Sequence, residues 1–265
     1  MEASSAIDDG AAFDFGRTSA DYARYRDIYP EEFYRHILDW GLCTNGQKVL
    51  DLGTGTGVLP RAMYRFGAKF TGADISENQI AEARRLSAGM GIDYIAASAE
   101  TVDFPAAAFD VVTACQCFIY FDQKTAMPRI HRMLKPGGHL LILWLGWRPD
   151  EDPILHASVE LCRKHNPQQY IMPFGFKPGE PGIPDVLEPF FSVARTAAYD
   201  ISVPFTREAW HGRMKASRGV GASNMPPEAI AAWEEEHLAF LDTVPEPLHI
   251  AHYVTMVDLQ REEIS

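Results

Sequence analysis

The chain has 265 residues, of which 46% are hydrophobic, and its formal net charge is -12 at pH 7. This length accommodates one large core, or one core with a smaller appended cap. The acidic balance argues against a duplex nucleic acid or an anionic membrane as the partner, because those surfaces are bound by concentrated lysine and arginine. We therefore expect a small-molecule partner; the oligomeric state is left open.

The composition also predicts a cytoplasmic protein without a metal centre. The first twelve residues lack the basic start and the apolar core of a signal peptide, and the longest apolar run, Leu140 to Trp147, is too short to span a bilayer. The four cysteines, at 43, 115, 117 and 162, do not have zinc-ribbon spacing.

Strand and helix signals alternate from residue 48 to residue 145, which is typical of a parallel sheet covered by helices. The first 46 residues hold two helices, near 19–26 and 30–40, and we predict that they form an N-terminal helical cap. The predicted strands are 48–52, 69–74, 92–97, 109–115 and 139–145. The predicted helices are 58–66, one that starts with a capping box at Ser76 and runs towards 89, and one from Asp122 through 134.

The character of the sequence changes after Trp147. Residues 148–188 are rich in proline, glycine and aromatic residues around one short helix near 154–164, as in an insertion. Two further strands, 192–202 and 249–259, are separated by helices near 206–217 and 227–243, which suits the antiparallel edge of a mixed sheet. The predicted domains are thus the cap 1–46, a cofactor-binding core 47–147, and 148–265, which completes the sheet and carries substrate-cap insertions 148–188 and 203–247.

A glycine-rich turn, Gly53-Thr54-Gly55-Thr56-Gly57, follows the first strand. Open α/β sheets bind ligands beyond the carboxyl ends of their strands, so the turn is a candidate site. A phosphate-binding loop requires a following lysine, which is absent, and a dinucleotide fingerprint requires a glycine where Val58 stands. A nicotinamide-dependent oxidoreductase is therefore kept only as an alternative.

The stretch Val49 to Gly57, with Asp51 two residues before the first glycine, resembles motif I of the class I S-adenosylmethionine-dependent methyltransferases. The resemblance implies an α/β fold with a Rossmann-like mixed seven-stranded sheet, helices on both faces and an inserted cap over the active site. It also implies S-adenosylmethionine as the cofactor and S-adenosylhomocysteine as its product. Asp51 would attract the cofactor ammonium, and the backbone of Gly53, Thr54 and Gly55 would contact the amino acid and the ribose.

The resemblance extends to later strand ends. Asp74 stands where the family places the carboxylate that accepts hydrogen bonds from both ribose hydroxyls, and Ile75 would pack on the adenine face. The run Ser98-Ala99-Glu100 resembles a motif near the adenine, although Ser98 replaces an aspartate that is frequent in the family. Gln116, after the fourth strand, would lie beneath the methionine portion.

The N-terminal run Tyr22-Ala23-Arg24-Tyr25-Arg26 resembles the leading segment of the methyltransferase domain 11-like, trans-aconitate methyltransferase-like subgroup. By this resemblance Arg26 pairs with the cofactor carboxylate, and Tyr22 or Tyr25 covers the sulfonium. The alternative is that these side chains form an ordinary solvated helix face.

Methyl transfer from a sulfonium is an in-line displacement that depends mainly on alignment and the exclusion of water, so few catalytic side chains are expected. Related proteins often carry a histidine where this chain has Ile119, and the neighbouring Tyr120 is a candidate acceptor contact. His211 is the other catalytic candidate, as a general base, although a lone histidine on a helix is more often a surface residue.

The expected acceptor is a small molecule that is aromatic or anionic. Three cations within one segment, Arg213, Lys215 and Arg218, either clamp an anionic group or lie on a solvated face. Aromatic residues suit a flat substrate but also suit core packing; they are Trp144, Trp147, Phe174, Phe176 and Trp210. The sequence thus predicts O- or N-methylation of a specialised metabolite, with a non-methylating S-adenosylmethionine-binding protein as a further alternative.

Overall fold

The computed structural model describes residues 13–167 and 187–263. Its α-helices are α1 Ser19–Tyr25, α2 Glu31–Asp39, α3 Val58–Met63, α4 Glu77–Leu86, α5 Gln123–Met133, α6 Pro153–His165, α7 Arg207–Lys215 and α8 Pro227–Asp242. Its strands are β1 Lys48–Leu52, β2 Lys69–Asp74, β3 Asp93–Ala96, β4 Phe109–Cys115, β5 Leu134–Trp147, β6 Phe191–Phe205 and β7 Leu248–Arg261.

The strands form one seven-stranded sheet in the order β3-β2-β1-β4-β5-β7-β6. Strands β1 to β5 pair in parallel, and the chain runs from β1 outwards through β2 to β3 before it returns to β4 on the other side of β1. The strand order therefore reverses between β1 and β4, which is where open α/β sheets bind their ligands. The predicted mixed seven-stranded, Rossmann-like sheet is confirmed.

Three of the predicted strands, β1, β2 and β4, have the predicted bounds, because each is an apolar run that ends at a polar or glycine residue. Strand β5 differs, since it begins at Leu134 and contains the predicted turn 135–138. Leu134 lies opposite Phe109 and His139 lies opposite Val111, so several extra residues of β5 face a short piece of β4. Gly137, with a φ of 71°, allows this bulge within the strand.

The predicted helix starts are also present. Ser76 is the N-cap of α4, and its Oγ accepts a hydrogen bond from the Gln79 amide at 3.4 Å. Pro60 lies in the first turn of α3, where a missing N–H has no cost. Local capping signals thus fixed where these helices begin.

The described residues divide into two compact units. The glycine-turn unit comprises 29–145, 187–199 and 254–263, and its buried cluster includes Leu50, Val112 and Leu140. The N-terminal unit comprises 13–28, 146–167 and 200–253, and its buried cluster includes Trp210 and Trp233.

The structure describes only part of the predicted insertion 148–188. Residues 168–186, with the candidate aromatics Phe174 and Phe176, lie outside the described residues. Within 13–167 and 187–263, none of the helices is long and apolar enough to cross a membrane.

Candidate functional site

The glycine turn joins β1 to α3 at the carboxyl edge of the sheet. Gly53, Gly55 and Gly57 have φ values of 61°, 56° and 75°, in the left-handed region that favours glycine. A Cβ at Gly53 would lie 2.7 Å from Sγ of Cys117, and one at Gly57 would lie 2.2 Å from Oη of Tyr94. The turn therefore requires glycine at these two positions for its conformation and for its packing against β3 and the segment after β4.

Asp51 lies beneath this turn in β1 and is 2% exposed. Its Oδ1 accepts a hydrogen bond of 2.5 Å from Oγ1 of Thr113, its register partner in β4. Burial raises the pKa of Asp51 to about 6. The pKa of Asp51 thus lies close to neutral pH, and a nearby cation would favour the ionised carboxylate.

Asp74 connects the end of β2 to the glycine turn. Its Oδ2 accepts the Gly55 amide at 2.8 Å, and its Oδ1 accepts the Ser76 amide at 2.9 Å. Burial raises the pKa of this carboxyl as well. Each carboxylate oxygen can accept a second hydrogen bond, so Asp74 retains acceptor capacity on both oxygens. The next residue, Ile75, is 51% exposed and presents apolar surface at the same edge.

The run Ser98-Ala99-Glu100 follows β3, the strand beside β2. The Ser98 amide donates to Thr101 Oγ1 at 3.2 Å, and Ala99 is buried. Glu100 Oε1 accepts the amide of Asp122 at 2.8 Å, immediately before α5. One oxygen of Glu100 therefore stabilises the protein's own loop.

Gln116 and Tyr120 follow β4 in the same unit. Gln116 has a φ of 66°, an uncommon conformation for a residue other than glycine. Its backbone N–H donates to the Leu143 carbonyl at 2.9 Å, and its side-chain Nε2 donates to the Leu145 carbonyl at 2.7 Å. Strand β5 therefore holds Gln116 in place. Backbone strain of this kind clusters at functional sites. Tyr120 is half-buried in a short 3-10 turn, Phe118–Tyr120.

The remaining candidates, Tyr22, Arg26 and His211, belong to the N-terminal unit. Arg26 lies 5.1 Å from the centre of the Tyr22 ring, a cation–π distance. Helix α7, which carries His211, packs on α1 so closely that a Cβ at Gly212 would lie 2.2 Å from the Tyr25 ring. Helix α1, which carries the predicted cofactor contact Tyr22, and helix α7, which carries the predicted base His211, are therefore neighbours.

Two of the three predicted cations of α7 and the following turn are buried instead of lying on a solvated face. Arg213 is 6% exposed, with its guanidinium 4.9 Å from the centre of the Trp147 ring, and Arg218 is 8% exposed. Lys215 Nζ lies 2.6 Å from Glu234 Oε1. The alternative of an ordinary surface patch therefore does not describe the two arginines.

Sequence reasoning missed Thr113, Tyr94 and the function of Cys117 as a packing partner of Gly53. The end of β4 can be recognised in the sequence from Cys115 and Gln116. The sequence around Thr113, however, does not show that this residue of β4 lies beside Asp51. Only the strand register brings these residues to the site.

Known proteins resemble this chain in both sequence and fold. Residues 50–142 match the family model described as a methyltransferase domain. The ubiquinone biosynthesis O-methyltransferase of Pseudomonas aeruginosa is 37% identical over 109 residues, which cover 39% of this chain and 47% of that protein. The match thus spans about half the length of such curated relatives.

Two solved structures share the fold. A putative type II methyltransferase from Anaeromyxobacter dehalogenans has a TM-score of 0.59 and 20% identity, covering 89% of this chain and 97% of that one. A phosphoethanolamine N-methyltransferase 2 from Haemonchus contortus, in complex with phosphomonomethylethanolamine and S-adenosylhomocysteine, has a TM-score of 0.53 and 18% identity, covering 93% and 58% of the two chains.

The sheet order and the glycine turn at its switch point define a Rossmann-like α/β protein. More narrowly, residues 50–142 match the model of a methyltransferase domain, in agreement with the resemblance of this stretch to the class I S-adenosylmethionine-dependent methyltransferases. The resemblance read from motif I is thereby confirmed. The narrower trans-aconitate methyltransferase-like subgroup stays a prediction.

Proposed function

We propose that this chain transfers the methyl group of S-adenosylmethionine to a small-molecule acceptor. The observation that carries the proposal is the Asp74 carboxylate, which the Gly55 and Ser76 amides orient at the carboxyl edge beside the glycine turn. When bound, the cofactor supplies a methyl group on a positively charged sulfur. The family match favours this function over the nicotinamide-dependent alternative.

The residues of the glycine-turn unit fit such a cofactor. Asp74 has acceptor capacity for two ribose hydroxyls, and exposed Ile75 offers apolar surface to a purine. The charge of Asp51 attracts an ammonium group. The buried Oγ1 atom of Thr56 has no hydrogen-bond partner within the described residues, so polar capacity remains beside the turn. Gly53, Gly55, Ser98-Ala99-Glu100 and Gln116 complete the proposed contacts.

The remaining residues of this proposal are drawn from both units. The family resemblance supports Tyr22 and Arg26 as cofactor contacts. Tyr120 and His211 are proposed as residues for the acceptor from their residue types and places in the sequence. We also retain the division into a cap 1–46, a cofactor core 47–147 and a segment 148–265 with insertions 148–188 and 203–247. Oxygen is the proposed accepting atom, because the Pseudomonas aeruginosa relative is named an O-methyltransferase. The cytoplasmic location stays a prediction.

Calorimetric titration with S-adenosylmethionine tests the cofactor assignment. We expect stoichiometric binding by the wild type and a weakening of about 10- to 100-fold in Asp74→Ala, since a hydrogen bond to a charged group contributes about 1.5–3 kcal/mol. Asp74→Asn, which keeps one acceptor oxygen, is expected to lie between the two. Asp93→Ala is the matched control, because Asp93 is exposed at the other end of the neighbouring strand β3. Equal affinity of wild type and Asp74→Ala would refute the assignment.

A second assay separates a transferase from a protein that only binds the cofactor. The protein is incubated with methyl-labelled S-adenosylmethionine and a small-molecule metabolite extract. A methyltransferase moves the label into a product, whereas a non-methylating binder leaves it on the cofactor. Fluorescence titration with a reduced nicotinamide dinucleotide covers the oxidoreductase alternative, for which we expect no binding.

A further inference from the structure

A pocket of about 230 Å³ lies at the amino edge of the sheet, within the glycine-turn unit. Three parallel strands begin beside it. Gln47 precedes β1, Asp110 is the second residue of β4, and Lys135 to His139 belong to the first part of β5. Residues 40–42, which follow helix α2, complete the lining. The glycine turn lies at the opposite, carboxyl edge, so this pocket is separate from the proposed cofactor site.

A buried carboxylate holds the polar side of this pocket in place. Asp258 of β7 is fully buried, and its Oδ1 lies 2.7 Å from Nδ1 of His139. Its Oδ2 accepts two hydrogen bonds from Arg195 of β6, from Nε at 2.9 Å and from Nη2 at 2.7 Å. Because an ionised carboxylate only accepts hydrogen bonds, Nδ1 of His139 carries the proton. The ring nitrogen that His139 can offer to a ligand in the pocket is therefore Nε2.

Trp40 provides the aromatic side of the pocket. The guanidinium of Arg195 lies 5.3 Å from the centre of the Trp40 ring, a cation–π distance. The same guanidinium thus contacts Trp40 and the carboxylate that holds His139, so the two sides of the pocket are connected. Trp40 and His139 are both partly exposed, which leaves surface on each for a ligand.

Lys135 provides a cation at the same pocket. Its Nζ lies 2.7 Å from Asp110 Oδ1, and its side chain is 41% exposed. An ammonium group has three N–H donors, so this ion pair leaves two of them for another acceptor. The charges of Lys135 and Arg195 balance those of Asp110 and Asp258. A second proton on His139 therefore gives this group of side chains a net positive charge.

The size of the pocket limits the ligand. Pockets for drug-sized ligands have volumes of roughly 300–1,000 Å³, so a volume of about 230 Å³ suits a ligand of about one ring. We propose that the pocket binds a small aromatic carboxylate, with its ring on Trp40 and its carboxylate between Lys135 Nζ and His139 Nε2. This binding is separate from methyl transfer and from the cofactor.

Proton–nitrogen NMR titration with sodium benzoate tests this site. We expect benzoate to shift the amide signals of Gly137 and Gly138 and the indole signal of Trp40. Benzamide keeps the ring without the charge, and acetate keeps the charge without the ring, so each should bind about tenfold more weakly or less well still. Benzoate that shifts only signals elsewhere, or that binds no better than acetate, benzamide or inorganic phosphate, would overturn the proposal.

Two pairs of variants test the proposed contacts. Lys135→Met should weaken benzoate binding by about tenfold or more, since it removes a charged hydrogen-bond donor, and Lys135→Arg should retain binding. Trp40→Leu should weaken binding, and Trp40→Phe, which keeps an aromatic ring, covers the case in which the leucine variant does not fold. Lys124→Met is the control, because Lys124 is an exposed lysine of α5. Equal affinity of wild type and Lys135→Met would contradict the proposed contact.

His139 should make this binding depend on pH. The charged groups that face it are Asp258 of β7, Arg195 of β6 behind that carboxylate, Lys135 of its own strand and Asp110 of β4. Benzoate should bind more tightly at about pH 6 than at about pH 8, because a protonated Nε2 donates to the carboxylate. His139→Gln should remove this difference. The same pH dependence in both proteins would overturn the role of His139.

Titration in the presence of saturating S-adenosylmethionine separates this site from the proposed cofactor site. The affinity for benzoate should be the same with and without the cofactor, and Asp74→Ala should bind benzoate as wild type does. Competition between the two ligands would place benzoate at the cofactor edge and overturn the proposal. If wild type does not bind S-adenosylmethionine, the proposed function fails, while the benzoate titration still decides the pocket.

Discussion

Asp51 shows at the scale of one residue how burial sets the chemistry of the cofactor edge. The carboxyl is buried and accepts one short hydrogen bond from Thr113, and burial raises its pKa to about 6. Because the folded protein binds this proton more tightly than the unfolded chain, Asp51 adds stability that is complete below pH 4 and is lost as the pH rises through about 6. The charge that attracts a cationic cofactor therefore reduces the stability of the fold.

Replacement of Asp51 by asparagine separates these two effects. Between pH 4 and pH 7, the free energy of unfolding of Asp51→Asn should rise relative to that of wild type by about 2–3 kcal/mol, because the variant has no charge to bury. Urea denaturation at several pH values measures this difference. In calorimetry the affinity of wild type for S-adenosylmethionine should rise as the pH passes through about 6, and that of the variant should not. Parallel profiles for the two proteins would contradict the expectation.

Gly57 and Gly89 form a matched pair for testing the packing of the glycine turn. Both have left-handed φ values, 75° and 85°, but a Cβ at Gly57 would lie 2.2 Å from Tyr94 Oη, and one at Gly89 meets no atom within 4 Å. Tyr94 cannot move freely, because its hydroxyl lies 2.8 Å from Ser87 Oγ inside the protein.

We expect both alanine variants to lose about 1–2 kcal/mol to backbone strain. Gly57→Ala should lose about 1–3 kcal/mol more to overpacking and should also bind the cofactor more weakly. Urea denaturation and calorimetry measure the two effects. Equal losses of stability in both variants would show that Tyr94 does not restrict the turn.

At the scale of an element, the start of α6 depends on a side chain that also holds a strand. Asp152 is 6% exposed; its Oδ1 accepts the Ile154 and Leu155 amides at 2.9 and 3.0 Å, and its Oδ2 accepts the Ala251 amide of β7 at 2.8 Å. Thr206, the exposed N-cap of α7, makes one such bond, to the Ala209 amide at 3.0 Å.

Asp152→Ala should therefore cost about 2–4 kcal/mol of unfolding free energy, since it removes a cap and leaves a strand amide without its charged partner. Thr206→Ala should cost only about 1 kcal/mol. Thermal and urea denaturation of the two variants provide the comparison. A smaller loss for Asp152→Ala than for Thr206→Ala would contradict the double function of this carboxylate.

At the scale of the whole molecule, cofactor binding should slow hydrogen exchange at one edge of the sheet only. Hydrogen exchange with saturating S-adenosylmethionine is expected to slow at residues 53–57 and 74–76, because the bound state suppresses local opening by mass action. Gly137 and Gly138 lie at the beginning of β5, at the opposite edge, and should exchange at the same rate with and without the cofactor. Equal protection of both edges would show a global effect instead of the proposed site.

The sequence alone determined those features of this protein that depend on neighbours along the chain. The apolar runs of β1, β2 and β4, the Ser76 cap and the spacing from Asp51 to Gly57 are local signals, and they were sufficient for the fold class and for the resemblance to a methyltransferase domain. Only the tertiary structure decided that Thr113 bonds Asp51 and that His237 bonds His211. Strand register and helix rotation fix such pairs, and both follow from packing over the whole fold, because a side chain's partner across a sheet or between helices leaves no pattern in its own stretch of sequence.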